Sequence, residues 1–262
     1  MGAAAGAAAA DSQKSFIGCT MTAWSDELRA HDLSELRTIL DMHGCAIVQT
    51  HATMDSLESL HNFMVSSERA YRPREAGRYS INAPNLEVHP AFAPLNDSPI
   101  INACIDELVR VSTLNMQGPH RNWLWKPNGT GGDIVMPHTY QYQHLHSDDP
   151  NYPTSSMLRG YSLCIGLAVT LVHLDFAPTR LVSWSTMKKL PYPEDATEPV
   201  VYGKEFMLTL KPGEAVIRDS RAAHSGTPNY TDAPRPFAQS QVLMPQYIGY
   251  YADETPTYLS NL

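Results

Sequence analysis

Apolar residues recur at helical spacing through the first part of the chain and in short, interrupted runs through the rest. Asp32-Leu33-Ser34-Glu35 has the form of a capping box, with Asp32 as N-cap and Glu35 at N3. Leu33, Leu36, Ile39 and Met42 follow at helical spacing, and Gly44 ends the helix. Cys45–Val48 reads as a buried strand. A second helix is expected from about Met54 to Ala70, apolar at Leu57, Leu60, Phe63 and Met64. The segment 71–94 carries Arg72, Arg74 and Arg78 without periodicity and reads as irregular. A third helix fits 97–115, with Ile100, Ile101, Cys104, Ile105 and Leu108 on one side.

From Trp123 onward the rhythm is that of strands. Asn128-Gly129-Thr130-Gly131-Gly132 reads as a hairpin turn. The stretch 157–173 is rich in β-compatible residues and covers one long strand or two short ones. Glu205–Leu210 is a strand, Lys211–Glu214 a turn and Ala215–Ile217 the next strand, and 236–245 closes the set. Helices first and strands later predict an α+β fold with a β-sandwich or barrel core.

Composition narrows the classes. An apolar fraction of 43% supports a sizeable core, and 20 prolines with 15 glycines favour many turns over a helical bundle. The net charge of −8 disfavours a nucleic-acid partner, because phosphate binding needs a basic face. No run is apolar enough to span a membrane. Cys19, Cys45, Cys104 and Cys164 lack metal-like spacing and read as free thiols of a reducing, cytoplasmic compartment. The opening run of Met, Gly and Ala lacks the charged and leucine-rich regions of a secretory signal. Residues 1–15 are expected to be a disordered Ala-rich tail. Residues 16–262 form a single domain, helical over about 24–118 and stranded over about 119–250.

The candidate chemistry begins at Gln143-His144-Leu145-His146-Ser147-Asp148. In an extended segment His146 and Asp148 emerge on one face. With one distant histidine they complete a two-His-one-carboxylate triad, which leaves positions of an iron open. His224, in Asp219-Ser220-Arg221-Ala222-Ala223-His224, is the candidate. With 11 histidines such triplets also arise by chance, and His173-Leu174-Asp175 is a second. It lacks the glutamine three residues before, and His146/Asp148 is preferred. His31, His43, His51, His61, His89, His120 and His173 are expected to be ordinary polar residues. His144 shares a face with His146, but a fourth ligand would block an open position, so it reads as a supporting or core residue. Asp149 reads as solvated, and Tyr247, Tyr250 and Tyr251 as packing residues.

Three further features line up with these motifs: Gln143, three residues before His146; Thr179, in Ala177-Pro178-Thr179-Arg180-Leu181-Val182; and Arg235, eleven residues after His224. Together with Lys211–His224 and Leu36–Gly44, they make the chain resemble the phytanoyl-CoA dioxygenase superfamily of iron(II)/2-oxoglutarate oxygenases over about residues 24–247. The resemblance implies a double-stranded β-helix, a jelly-roll core with helices packed on it. It implies that His146, Asp148 and His224 hold Fe(II), and that Arg235 pairs with the distal carboxylate of 2-oxoglutarate. Gln143 and Thr179 would add hydrogen bonds to the co-substrate. Dioxygen is the oxidant implied, and ascorbate the usual reductant in vitro. The implied reaction is oxidation of a C–H bond of a small metabolite, by hydroxylation, desaturation or cyclisation. Asp148 itself argues against halogenation, since related halogenases have a small residue at that position.

Two departures bear on the surroundings of the site. The family often continues after the threonine with Pro-Gly-Ser-His, where this chain has Ser183-Trp184-Ser185-Thr186. A hydroxyl residue often stands two after the distal histidine, where this chain has Gly226. Arg72, Arg74 and Arg78 could offer a basic mouth for a CoA phosphate or clamp a carboxylate. Two other classes stand beside the oxygenase reading: a non-catalytic jelly-roll binding module, and a cupin-like metalloenzyme that does not use 2-oxoglutarate. The residues leave the substrate and the oligomeric state open.

Overall fold

The computed structural model describes residues 25–66, 71–81, 85–114, 126–148, 162–183 and 204–243. The expected tail at 1–15, Cys19, His120, Asp149, residues 184–186, Tyr247, Tyr250 and Tyr251 lie outside them.

Asp32 starts the first helix, α1 (Leu33–His43), by accepting hydrogen bonds from the Ser34 and Glu35 amides, both at 2.8 Å. The reciprocal half of the expected capping box differs. The Glu35 carboxylate accepts from the His31 amide at 2.8 Å, one residue further back than Asp32. The helix ends at Gly44, whose φ of 72° lies in the left-handed region. Strand β1 (Cys45–Gln49) follows, then α2 (Met54–Ser66).

The segment expected to be irregular holds a hairpin of β2 (Tyr71–Pro73) and β3 (Arg78–Ile81). Its turn places Ala76 and Gly77 at positive φ, 55° and 66°. Strands of three and four residues are too short for an alternating pattern to be seen in the sequence. A short helix α3 (Ala93–Asn96) precedes α4 (Pro99–Leu114), which Ser98 caps through its Oγ and which Pro99 opens.

The strands β4 (Lys126–Val135), β5 (Ser162–Ala168), β6 (Thr179–Val182), β7 (Glu205–Leu208), β8 (Glu214–Asp219), β9 (His224–Gly226) and β10 (Arg235–Leu243) build two antiparallel sheets. The larger runs β1-β8-β5-β10-β4-β3-β2 and the smaller β7-β6-β9. This is the jelly roll, with helices on the outside of the larger sheet. Every residue of β8 is buried, as a strand covered on both faces must be. Leu36, Leu57 and Leu60 from the helices join Ile165, Ile217, Leu181 and Phe206 from the sheets in one hydrophobic cluster.

Asn128–Gly132 is not a turn. It runs straight through β4, and Asn128 is the extra residue of a bulge opposite Gln241 and Val242. The glycines serve close approach instead of reversal. A Cβ at Gly131 would lie 2.2 Å from the Ile81 carbonyl, and one at Gly132 would lie 2.3 Å from the Phe237 carbonyl. The strand can therefore sit between β3 and β10 only if it is bare there. The strand expected over Glu205–Leu210 stops at Leu208, and Leu210 makes a separate bridge to Val172.

Gly132→Ala is expected to destabilise the protein by about 2–3 kcal/mol, because its methyl group meets backbone. Gly129→Ala, whose Cβ would meet nothing within 4 Å, costs less. Urea denaturation midpoints of the two variants check the difference.

Candidate metal centre

The segment 141–148 runs extended beside β9. Gln143 N–H donates to the Gly226 carbonyl at 2.9 Å, and Asp148 N–H donates to the Ser220 carbonyl at 2.9 Å. Between these points His146 and His224 exchange both backbone hydrogen bonds, at 2.9 and 2.8 Å. Their rings face each other with centroids 4.4 Å apart. His146, Asp148 and His224 thereby bring one ligand atom each within 4.8 Å of one another.

The two imidazoles are oriented in the same way. Nδ1 of His146 lies 2.8 Å from the His144 carbonyl, and Nδ1 of His224 lies 3.0 Å from the Ala222 carbonyl. A proton on each Nδ1 satisfies those carbonyls and leaves each Nε2 as a lone pair. The Nε2 atoms lie 3.9 and 3.7 Å from Oδ1 of Asp148. Neighbouring ligands on an octahedral ion with bonds of about 2.1 Å lie about 3 Å apart, so each histidine need draw in toward the carboxylate by less than about 1 Å. The donor set, its tautomers and its spacing fit an iron ion.

Two charges shape the centre. Burial would raise the Asp148 carboxyl, but the Arg218 guanidinium, with both histidines, outweighs it and holds the group well below the usual carboxylate range. Arg218 Nη2 donates to Asp148 Oδ2 at 2.5 Å. Burial is the main cause that lowers both imidazoles, His224 more strongly, and nearby Arg218 adds to it. Both histidines are therefore neutral and ready to ligate at neutral pH.

A second group of charges gathers on the same face. Gly226 stands two residues after His224 on β9, hence on the same side of the strand. Thr179 pairs with Gly226 across β6, and Gln143 Oε1 accepts from the Gly226 amide at 3.1 Å. Arg78 and Arg235 stand opposite Val135 from either side of β4. Both reach Asp133, two residues along: Arg78 Nη1 to Oδ2 and Arg235 Nη1 to Oδ1, each at 3.0 Å. Arg78 also donates to the Thr227 carbonyl at 2.8 Å. Two buried guanidiniums thus share one carboxylate, and the Nε of each is buried without a partner. Burial, only partly offset by Asp133, pushes Arg78 down to about 10. An excess of buried positive charge with idle donors is the arrangement that accepts a carboxylate.

Arg78 also accounts for Gly226. A Cβ there would lie 1.9 Å from Cζ of Arg78, so the guanidinium occupies the place of the hydroxyl side chain expected from the resemblance. Of the three arginines proposed for a basic mouth, Arg72 and Arg74 are exposed and Arg78 is withdrawn into the interior. Sequence reasoning did not find Asp133 or Arg218. Arg218 had one signal, a charge directly after the apolar run Ala215-Val216-Ile217, whereas Asp133 had none.

The other histidines stand apart. His173 is exposed and stacks on Phe176. His144 is 53% exposed, not a core residue, and its ring turns to Glu75 while its carbonyl holds His146. His43 bonds the Ser183 hydroxyl at 3.0 Å. Cys45, Cys104 and Cys164 are free thiols. Among the described residues no helix is long and apolar enough to cross a membrane.

The family model described as Phytanoyl-CoA dioxygenase (PhyH) matches residues 23–237. No curated protein sequence matches the chain. Among solved structures, the fold is similar to the non-heme alpha ketoglutarate dependent epimerase SnoN from nogalamycin biosynthesis, with a TM-score of 0.61, 16% identity and 80% of each chain covered. It is also similar to HygX from Streptomyces hygroscopicus, solved with nickel, 2-oxoglutarate and hygromycin B bound. There the TM-score is 0.57 at 12% identity, covering 79% of this chain and 85% of that one. The carbocyclase SnoK from nogalamycin biosynthesis aligns at a TM-score of 0.55 with 13% identity, over 78% and 81% of the two chains.

Because the fold keeps His146, His224 and His43 neutral below the ordinary histidine range, the unfolded chain takes up protons first as pH falls. The metal-free protein is therefore expected to lose stability from about pH 6.5 downward. Urea midpoints at about pH 7.5 and 5.5 check this, and His224→Asn should flatten the slope.

Proposed function

Because the chain belongs to the phytanoyl-CoA dioxygenase family and is an iron(II)/2-oxoglutarate-dependent oxygenase, we propose that it oxidises a C–H bond of a small metabolite. Substrate, 2-oxoglutarate and dioxygen would give oxidised substrate, succinate and carbon dioxide. Hydroxylation is the simplest outcome, and desaturation or cyclisation follows from the same hydrogen removal. In this reading residues 16–262 form one oxygenase domain. The observation that carries the proposal is the triad of donor atoms beside a pair of buried arginines with spare donors.

When bound, iron and its co-substrate supply the oxidising chemistry. The chain supplies the geometry. His146 and His224 offer Nε2, each ring fixed by a carbonyl on Nδ1, and Asp148 offers Oδ1. Arg235 and Arg78 donate to the distal carboxylate, whose charge balances the excess over Asp133. The step from His224 to Gly226 spans about 6.6 Å of strand, close to the length of a five-carbon dicarboxylate. Gln143 directs its Oε1 to the Gly226 amide, so its other end is the donor that meets the co-substrate. Thr179, paired with Gly226 from the other side, adds its hydroxyl.

Two observations favour a small metabolite over an acyl-CoA. Withdrawal of Arg78 removes one charge from the expected phosphate-binding mouth. The structural neighbours are named with nogalamycin and hygromycin B, which are small molecules. Those neighbours include an epimerase and a carbocyclase, so the same fold serves more than one reaction.

Purified protein with iron(II), ascorbate, 2-oxoglutarate and oxygen is expected to release succinate, and Arg235→Ala to lose most of it. No succinate from the wild type, together with no affinity of the metal-loaded protein for 2-oxoglutarate, would overturn the oxygenase reading. Gly226→Ser, which displaces the Arg78 guanidinium, is expected to raise KM for 2-oxoglutarate about tenfold or more, as loss of a buried charged contact does. Initial rates against co-substrate concentration test it.

A further inference from the structure

The two oxygens of Asp148 have different surroundings. Oδ1 faces both imidazoles, 3.9 Å from His146 Nε2 and 3.7 Å from His224 Nε2. Oδ2 is held by Arg218 Nη2 at 2.5 Å. A carboxylate can give a metal one oxygen or two. On a six-coordinate ion with two histidines, one oxygen leaves three positions open and two oxygens leave only two. Two positions are enough for a chelating keto acid, and a third is needed for dioxygen.

We propose that Arg218 is a positioning residue that keeps Oδ2 of Asp148 out of the coordination shell, so that the carboxylate gives the metal a single oxygen. This inference rests on the metal centre proposed above. Among the described residues the guanidinium has no competing acceptor of equal strength. Arg218 lies in β8 between β1 and β5, in register with Cys45 on one side and Cys164 on the other. Both neighbours are thiols, which accept hydrogen bonds weakly, and burial raises both away from the charged form, Cys45 to about 12. The arginine itself is 6% exposed, so water does not replace the carboxylate as its partner. A buried cation beside a single strong acceptor stays on that acceptor.

Arg218 also lies against the second ligand. Its Nη1 is 3.1 Å from His224 Nδ1, which is 3.0 Å from the Ala222 carbonyl as well. Guanidinium nitrogens only donate, so the two contacts select opposite tautomers. A bond from Arg218 would put the proton on Nε2, whose neighbour Asp148 Oδ1 is beyond hydrogen-bond reach at 3.7 Å. The Ala222 tautomer frees Nε2 for a metal and leaves the Arg218 charge to Asp148. The guanidinium therefore packs between the two ligands while bonding only one of them.

The test uses full-length protein, freed of metal and loaded with cobalt(II). X-ray absorption or a crystal structure of the cobalt(II) wild type should find one Asp148 oxygen on the metal. Arg218→Met should put a second Asp148 oxygen on the metal and change the cobalt(II) visible spectrum of the 2-oxoglutarate-loaded protein, because that oxygen fills the position left for dioxygen. Arg218→Lys, which keeps a donor and the charge, should restore the wild-type spectrum. Two Asp148 oxygens on the wild-type metal would overturn the inference. So would a folded Arg218→Met variant with the wild-type spectrum. If Arg218→Met does not fold, the coordination of the wild type decides alone. No cobalt(II) binding by the wild type, or binding unchanged in His146→Ala, would overturn the metal centre itself and this inference with it.

Discussion

The pair of backbone hydrogen bonds between His146 and His224 is the constraint on which the centre depends. The two residues lie far apart in sequence, and neither sits in a long strand. One small bridge ties the segment after β4 to β9 at the edge of the smaller sheet and brings two imidazoles together. The carbonyls that orient the rings are local to that bridge. Each Nδ1 finds a carbonyl two residues back along its own segment. The ligand geometry is therefore a property of two short backbones held in register, and the surrounding sheets serve to hold that register.

The interior carries charge in an unusual proportion. Arg78, Arg180, Arg218 and Arg235 are all buried. Arg180 pairs with Glu205 across β6 and β7. The other three depend on two carboxylates, Asp133 and Asp148, of which Asp148 is also a candidate metal ligand. Buried cations of this kind are costly unless an anion compensates them. Among the described residues the core holds more buried cations than carboxylates, an excess that an anionic ligand would compensate.

Much of this was legible in the chain. The α+β order, α1 with its Asp32 cap, the strand at Cys45 and the strand after Lys211–Glu214 all follow from spacing and turn chemistry, because those signals are local. His146, Asp148 and His224 were found by motif, and the fold brings them together. Local reasoning misread two places. Asn128–Gly132 has the composition of a turn, yet its glycines answer to strands from elsewhere that crowd β4. The arginines at 72–78 stand in a segment that reads as irregular, and only the pairing of β3 with β4 carries Arg78 inward to Asp133. Asp133 and Arg218 acquire their meaning from partners 55 and 70 residues away in sequence, and no pattern in a single chain records such a pairing.

The contact between Arg78 and Gly226 makes these two positions a single unit of inheritance. A side chain at 226 has no room while the guanidinium is present. A side chain at 226 and the guanidinium in its present place exclude each other, so a change at either position is felt at the other, although they lie on separate strands and far apart in the chain. Residue 226 is therefore informative about a homologue only when it is read together with residue 78.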